Sequence, residues 1–230
     1  MALPKLNESP QYEMIVPSTG KKVKFRPYLV REEKILLMAS ESGDINQIMN
    51  AVINTVTACI DEDIQKDSLT TFDLEYLFIK IRSKSVGEKV SITLNCSECG
   101  EPHPSDIDLE EVKCSKAKKT SLIKIDDKIS IEMKYPSYGS IDLNVTEDEL
   151  GFAILSNSIE AVLTEDERID ISEESDESVR NFLESMTKQQ FEKLAEFLED
   201  MPQVKHNVIF DCASCAHHNN IEIKGMQSFF

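Results

Sequence analysis

Two stretches decide the reading: VSITLNCSECGEPHPSDIDL, Val90 to Leu109, and HNVIFDCASCAHHNNIEIKG, His206 to Gly225. Each is an alternating apolar run, then C-x-x-C, then a polar turn, then a second alternating run. Period-two alternation predicts a β-strand, so each stretch reads as a hairpin with two thiols at its tip. Two thiolates three residues apart supply half of a tetrahedral site, and zinc takes four ligands. Neither tip explains itself alone; Cys96, Cys99, Cys212 and Cys215 together make one structural four-cysteine zinc (Zn2+) site.

The spacing is unusual, because 112 residues separate Cys99 from Cys212, against roughly 15–20 in a compact zinc ribbon. The expectation is a split ribbon whose two hairpins enclose an α+β insertion. His103, His217 and His218 could stand in for a cysteine, but four well-placed thiolates leave no vacancy. A thioredoxin-like redox pair would sit ahead of a helix, which lowers the thiol pKa; here both pairs lie between strands. Two local disulfides are a weaker reading for six cysteines in a chain whose Met1 to Pro10 lacks a secretory apolar core. A catalytic zinc would keep an open coordination position.

Working outward, Tyr12 to Val16 and Lys22 to Arg26 flank Pro17-Ser18-Thr19-Gly20, which is turn chemistry for a hairpin. Arg31 to Ser42 reads as a helix. Asp44 is placed to N-cap a second helix with Ile45, Ile48, Met49, Val52, Ile53 and Val56 on its stripe. A third follows Thr71 and stops at Gly87; Cys59 is a core residue. Beyond the first knuckle, Ser121 to Ile125 and Lys128 to Lys134 make a hairpin about Asp126-Asp127. Thr146 and Glu149 form a capping box for a helix running to about Leu163. A short strand is expected at Arg168 to Ile171, then helices over Val179 to Met186 and after Thr187. The fold class is therefore α+β. It has an N-terminal hairpin and helices (1–88), then a zinc-ribbon-like part with its α+β insertion (89–230), as one compact unit.

Composition excludes several functions. With 25 basic and 42 acidic residues the chain carries −17, a field that repels phosphate backbones and anionic membranes. No apolar run approaches the roughly 18 residues of a membrane span. The chain has only 7 glycines and no phosphate-cradling loop, G-x-S-x-G elbow or H-E-x-x-H motif. The expectation is a binding or assembly module with no small-molecule substrate, and not an enzyme.

A more specific signal lies in VKFRPYLVREEKILLMASES (23–42) and FDLEYLFIKIRSKSVGE (72–88). With the closing IKGMQSFF, they resemble the T-even-type bacteriophage baseplate hub assembly protein family. Helix periodicity alone does not dictate Arg26-Pro27 or Lys84-Ser85-Val86-Gly87-Glu88. The resemblance implies a phage morphogenesis role without catalysis: an assembly factor, chaperone or scaffold binding other hub proteins in the cytoplasm of the infected host. The alternative is a permanent hub subunit carried in the virion tail; a zinc-dependent or dithiol enzyme is the remaining reading. The family-like strings coincide with charges, which makes Arg26, Arg31, Glu33, Arg82 and Lys84 candidate partner-binding residues. Phe229 and Phe230 join them as candidates, the two readings being aromatics tucked into the core and anchors in a partner's pocket.

Overall fold

Turn and cap chemistry sets the element boundaries in this computed structural model, which describes residues 10–62, 64, 68–116, 121–140 and 147–226. β1 (Tyr12–Ile15) and β2 (Lys22–Phe25) pair antiparallel, and Gly20 takes a φ of 69° in the turn between them. α1 (Val30–Ser42) starts with the Glu32 side chain accepting from the Leu29 N–H. It ends on Gly43 at φ 67°, where glycine carries no left-handed penalty. α2 (Ile45–Cys59) opens with Asp44 accepting from the Asn46 and Gln47 N–H groups. α3 (Thr71–Ser85) leads to β3 (Lys89–Asn95), β4 (Pro102–Asp108) and β5 (Lys113–Cys114). Then come β6 (Leu122–Lys124), β7 (Ser130–Met133), α4 (Glu147–Asn157), β8 (Ile159–Leu163) and β9 (Arg168–Asp170). α5 (Asp176–Glu184), α6 (Lys188–Glu199), β10 (Val204–Asp211) and β11 (His218–Lys224) follow. Helices and small antiparallel sheets are mixed, the α+β class the sequence implies.

The chain forms two compact units. The first takes Met1–Lys66, Phe72–Ser115 and Gln203–Phe230; the second takes Asp67–Thr71 and Lys116–Pro202. In the first, α3 is apolar on most sides, with Phe72, Leu74, Leu77, Phe78, Ile79 and Ile81 all buried, as expected of a helix inside a core. Its Ile79 belongs to one cluster with Ile107 and Leu109 from the β3–β4 side and Val204, Val208, Phe210 and Ile223 from β10–β11. Lys80, also on α3, donates to the carbonyls of Leu109 and Glu110 at 3.0 and 2.7 Å, which satisfies its buried ammonium.

The two hairpins of this unit repeat each other. All seven ladder pairs of β3–β4, from Asn95↔Pro102 to Lys89↔Asp108, recur in β10–β11 when 116 is added to each residue number. The closing bond recurs too: Leu109 N–H to Glu88 O in the first, Gly225 N–H to Val204 O in the second. β5 pairs with β10. Ser115 and Gln203 then exchange bonds, Ser115 N–H to Gln203 O at 3.1 Å and Gln203 N–H to Ser115 Oγ at 3.0 Å.

In the second unit, β6, β7, β8 and β9 form a four-stranded antiparallel sheet in that order. Its core joins Ile131, Met133, Ile159 and Val162 from the strands to Leu155, Val179, Leu183, Leu194 and Phe197 from the helices. Thr187 and Gln190 close a reciprocal capping box at the start of α6, as their spacing predicts. One expectation fails. The helix expected to reach Leu163 stops at Asn157, and Ile159–Leu163 is a central strand between β7 and β9. A short apolar run buried on both faces has no period of its own. The buried Ser158 helps end the helix, its hydroxyl donating back to the Ile154 carbonyl. Thr146 of the expected capping box lies outside the described residues.

Candidate metal centre

The strand registers bring the two C-x-x-C tips together. The Sγ atoms of Cys96, Cys99, Cys212 and Cys215 all lie within 4.8 Å of one another. Cys96 Sγ is 3.7 Å from Cys215 Sγ, and Cys99 Sγ is 3.6 Å from Cys212 Sγ, each pair joining the two hairpins. A sulfur tetrahedron with bonds of about 2.3 Å has edges of about 3.8 Å, so these separations fit a thiolate-bound zinc ion.

Each knuckle is built by the same two backbone bonds. The Cys96 N–H donates to Glu101 O and the Gly100 N–H to Cys96 O; the Cys212 N–H donates to His217 O and the Ala216 N–H to Cys212 O. The fifth residue must enter the left-handed region, and it is Gly100 at φ 74° in one knuckle and Ala216 at φ 59° in the other. Ala216 is the one non-glycine residue with positive φ among the described residues, and it carries a steric cost that Gly100 does not.

Asn219 lies at the heart of the site and could not be picked out from the sequence. Its side chain is 1% exposed. Its Oδ1 accepts from both the N–H and the hydroxyl of Ser97 at 2.9 Å, and its Nδ2 donates to Cys96 Sγ at 3.5 Å and to His217 O at 3.0 Å. A residue of the second hairpin thus holds the first knuckle. His103 makes the opposite crossing, stacking on Phe210 with centroids 4.1 Å apart and planes 3° off parallel. His218 pairs with Asp211 at 2.7 Å.

The thiols are electrostatically unequal. The Cys99 N–H, with help from the Glu98 N–H, the Asn219 amide and Cys212, holds Cys96 down to about 6 against the opposing effect of burial. At Cys99 the Glu101 N–H and Cys215 favour the thiolate, but Cys212, burial and Cys96 outweigh them and raise it. At Cys215 the His217 N–H pulls down while Cys99, burial, Cys212 and Cys96 push the thiol up to about 12. The cluster therefore favours the Cys96 thiolate and resists those of Cys99 and Cys215; a bound cation would oppose that resistance.

The other candidates are spread over the N-terminal elements. Arg26 Nη2 and Arg31 Nε both reach Glu32 Oε1, at 3.1 and 2.7 Å. Burial pushes the Glu32 carboxyl up, but bonds from Arg31, the Leu29 N–H and Arg26 outweigh it and hold the carboxyl low. Glu33 and Arg82 are half-buried. Lys84 pairs with Glu88 at 2.5 Å and lies over the Tyr12 ring. Phe229 and Phe230 lie outside the described residues. Among the described residues no helix is long and apolar enough to cross a membrane.

A family model described as T4 bacteriophage base plate protein matches residues 9–230. The chain belongs to that family. Membership gives this base plate protein a structural or assembly role in the phage base plate, in contact with other base plate proteins. Comparison with curated proteins and with solved structures returned no match.

Proposed function

We propose that this base plate protein is an assembly factor or scaffold of the base plate hub, acting by protein–protein binding and braced by a structural zinc ion. The observation that carries the zinc is the convergence of four sulfurs from hairpins 116 positions apart, at edges that suit a tetrahedron. Four thiolates fill zinc's coordination sphere, so the ion would hold the two hairpins and leave no position for a substrate. The hub-facing residues in this reading are Arg26, Arg31, Glu33, Arg82 and Lys84, with Phe229 and Phe230. Arg31, with a side chain 70% exposed, is the most available of the ion-paired ones, and Arg26 at 17% the least. Synthesis and action in the host cytoplasm follow from this role.

A permanent hub subunit is the second reading, favoured by the family's description as a base plate protein. Purified virions and infected-cell lysates separate the two. An assembly factor co-purifies with hub proteins in lysates and is missing from virions; a subunit is found in virions at fixed stoichiometry. Failure to co-purify with any base plate protein from either source would remove both readings.

A further inference from the structure

Among the described residues, most of the large apolar side chains left in solvent lie on or beside one helix. Val30, Leu37 and Met38 of α1 are 79%, 59% and 60% exposed, and Ile45, just past the turn, is 59% exposed. Only Glu32 and Ala39 of α1 are buried. At about 100° per residue, Val30, Lys34, Leu37, Met38 and Glu41 fall within a sector about 100° wide, opposite the buried pair. Lys34 and Glu41 are both exposed, and among the described residues neither has an ion pair within the chain. Such a face is unlike a solvated helix surface, which carries charges where this one carries Val, Leu and Met.

We propose that this face of α1 pairs with the same face of a second copy of the chain, antiparallel, about a two-fold axis between Leu37 and Met38. The order of the side chains is self-complementary about that point. Each Leu37 meets the other copy's Met38. Each Lys34 meets the other copy's Glu41, which gives two ion pairs by symmetry. Each Val30 reaches the end of the opposite α1, where Ile45 is exposed. A two-fold interface requires this reciprocity, each residue facing the one it is faced by. A charge of −17 per copy opposes association at long range, but the field is screened over about 8 Å at physiological ionic strength while the contacts act at touching distance. One helix face is small against a standard interface of roughly 1,600 Å², so the dimer is a weak one, with a dissociation constant in the micromolar range or above.

Sedimentation equilibrium of the untagged, zinc-loaded full chain, from low micromolar to submillimolar concentration, tests this. A monomer–dimer equilibrium is expected, tighter at physiological than at very low ionic strength. Leu37→Asp should abolish it. Lys34→Glu and Glu41→Lys should each weaken it about tenfold, since each reversal spoils two exposed pairs, and the double exchange should restore it to within a few fold. All these positions are solvent-exposed, and unchanged circular dichroism would verify that each variant folds. A protein that stays monomeric throughout, or a dimer indifferent to Leu37→Asp, overturns the proposal. So does a double exchange no tighter than the single variants. If Leu37→Asp instead abolishes capture of another base plate protein while the parent chain is monomeric, the face belongs to that partner and the second copy is refuted.

Discussion

The knuckles at Cys96 and Cys212 make the same turn with the same register, yet they are finished differently. Position seven past the first cysteine is His103 in one hairpin and Asn219 in the other, and both cross to the opposite hairpin. Asn219 goes to the neighbouring knuckle and fixes its backbone and its sulfur; His103 stacks on Phe210, the cross-strand partner of Asn219. The residue four past the first cysteine, the fifth of the knuckle, is glycine in one and alanine in the other. A repeated scaffold thus specifies the four-sulfur geometry twice over, while the Asn219 bond to sulfur and the glycine at the left-handed position both go to the same knuckle. The Cys96 knuckle has Gly100 and the Asn219 bond to its sulfur; the Cys212 knuckle has Ala216, and Asn219 reaches only its His217 carbonyl.

Removing a sulfur is the largest way to break this comparison. Cys96→Ser and Cys212→Ser should each abolish stoichiometric zinc and unfold the first unit. Apparent structural-zinc binding energies of about 10–16 kcal/mol match or exceed an ordinary domain's stability. Elemental analysis and thermal melting, with and without chelator, read the result; a variant that stays folded with one zinc would show that three sulfurs suffice. Next in size is Asn219→Ala, which removes a buried amide and leaves the Ser97 N–H without its acceptor within the chain. A loss of about 1–3 kcal/mol in denaturant melts is expected, with zinc held about 10–100-fold more weakly in competition with a chromophoric chelator. His103→Ala should cost only about 1 kcal/mol of ring stacking and leave zinc affinity unchanged. Equal effects on zinc would mean that the two crossings play one role. The smallest test exchanges the fifth residues. Gly100→Ala should destabilise by about 1 kcal/mol, and Ala216→Gly should stabilise by about the same, both read from denaturant midpoints.

Much of this was legible in the sequence where chemistry is local. The C-x-x-C tips, the alternation around them, the Asp44 cap and the Thr187–Gln190 box are short-range signals, and each forms as written. What was not legible depends on neighbours. Ile159 to Leu163 gave no sign of ending a helix, because a central strand takes its identity from the strands on either side. Asn219 looked like one polar turn residue among several, and its importance comes from a contact 122 positions away. The charges of α1 drew attention to Arg31 and Glu33, while the exposure of Leu37 and Met38 appears only once the helix has been packed.

The reciprocal bond between Ser115 and Gln203 has a consequence in time. Everything between these residues is synthesised before the second pair of cysteines leaves the ribosome. At roughly 5–20 residues per second, Cys96 and Cys99 wait on the order of ten seconds as an open dithiol. During that interval the nascent chain displays half a coordination sphere, and its second unit can already have folded. Convergence of the four sulfurs therefore waits for the second knuckle, and a chain truncated anywhere between Cys99 and Cys212 would keep only two of them.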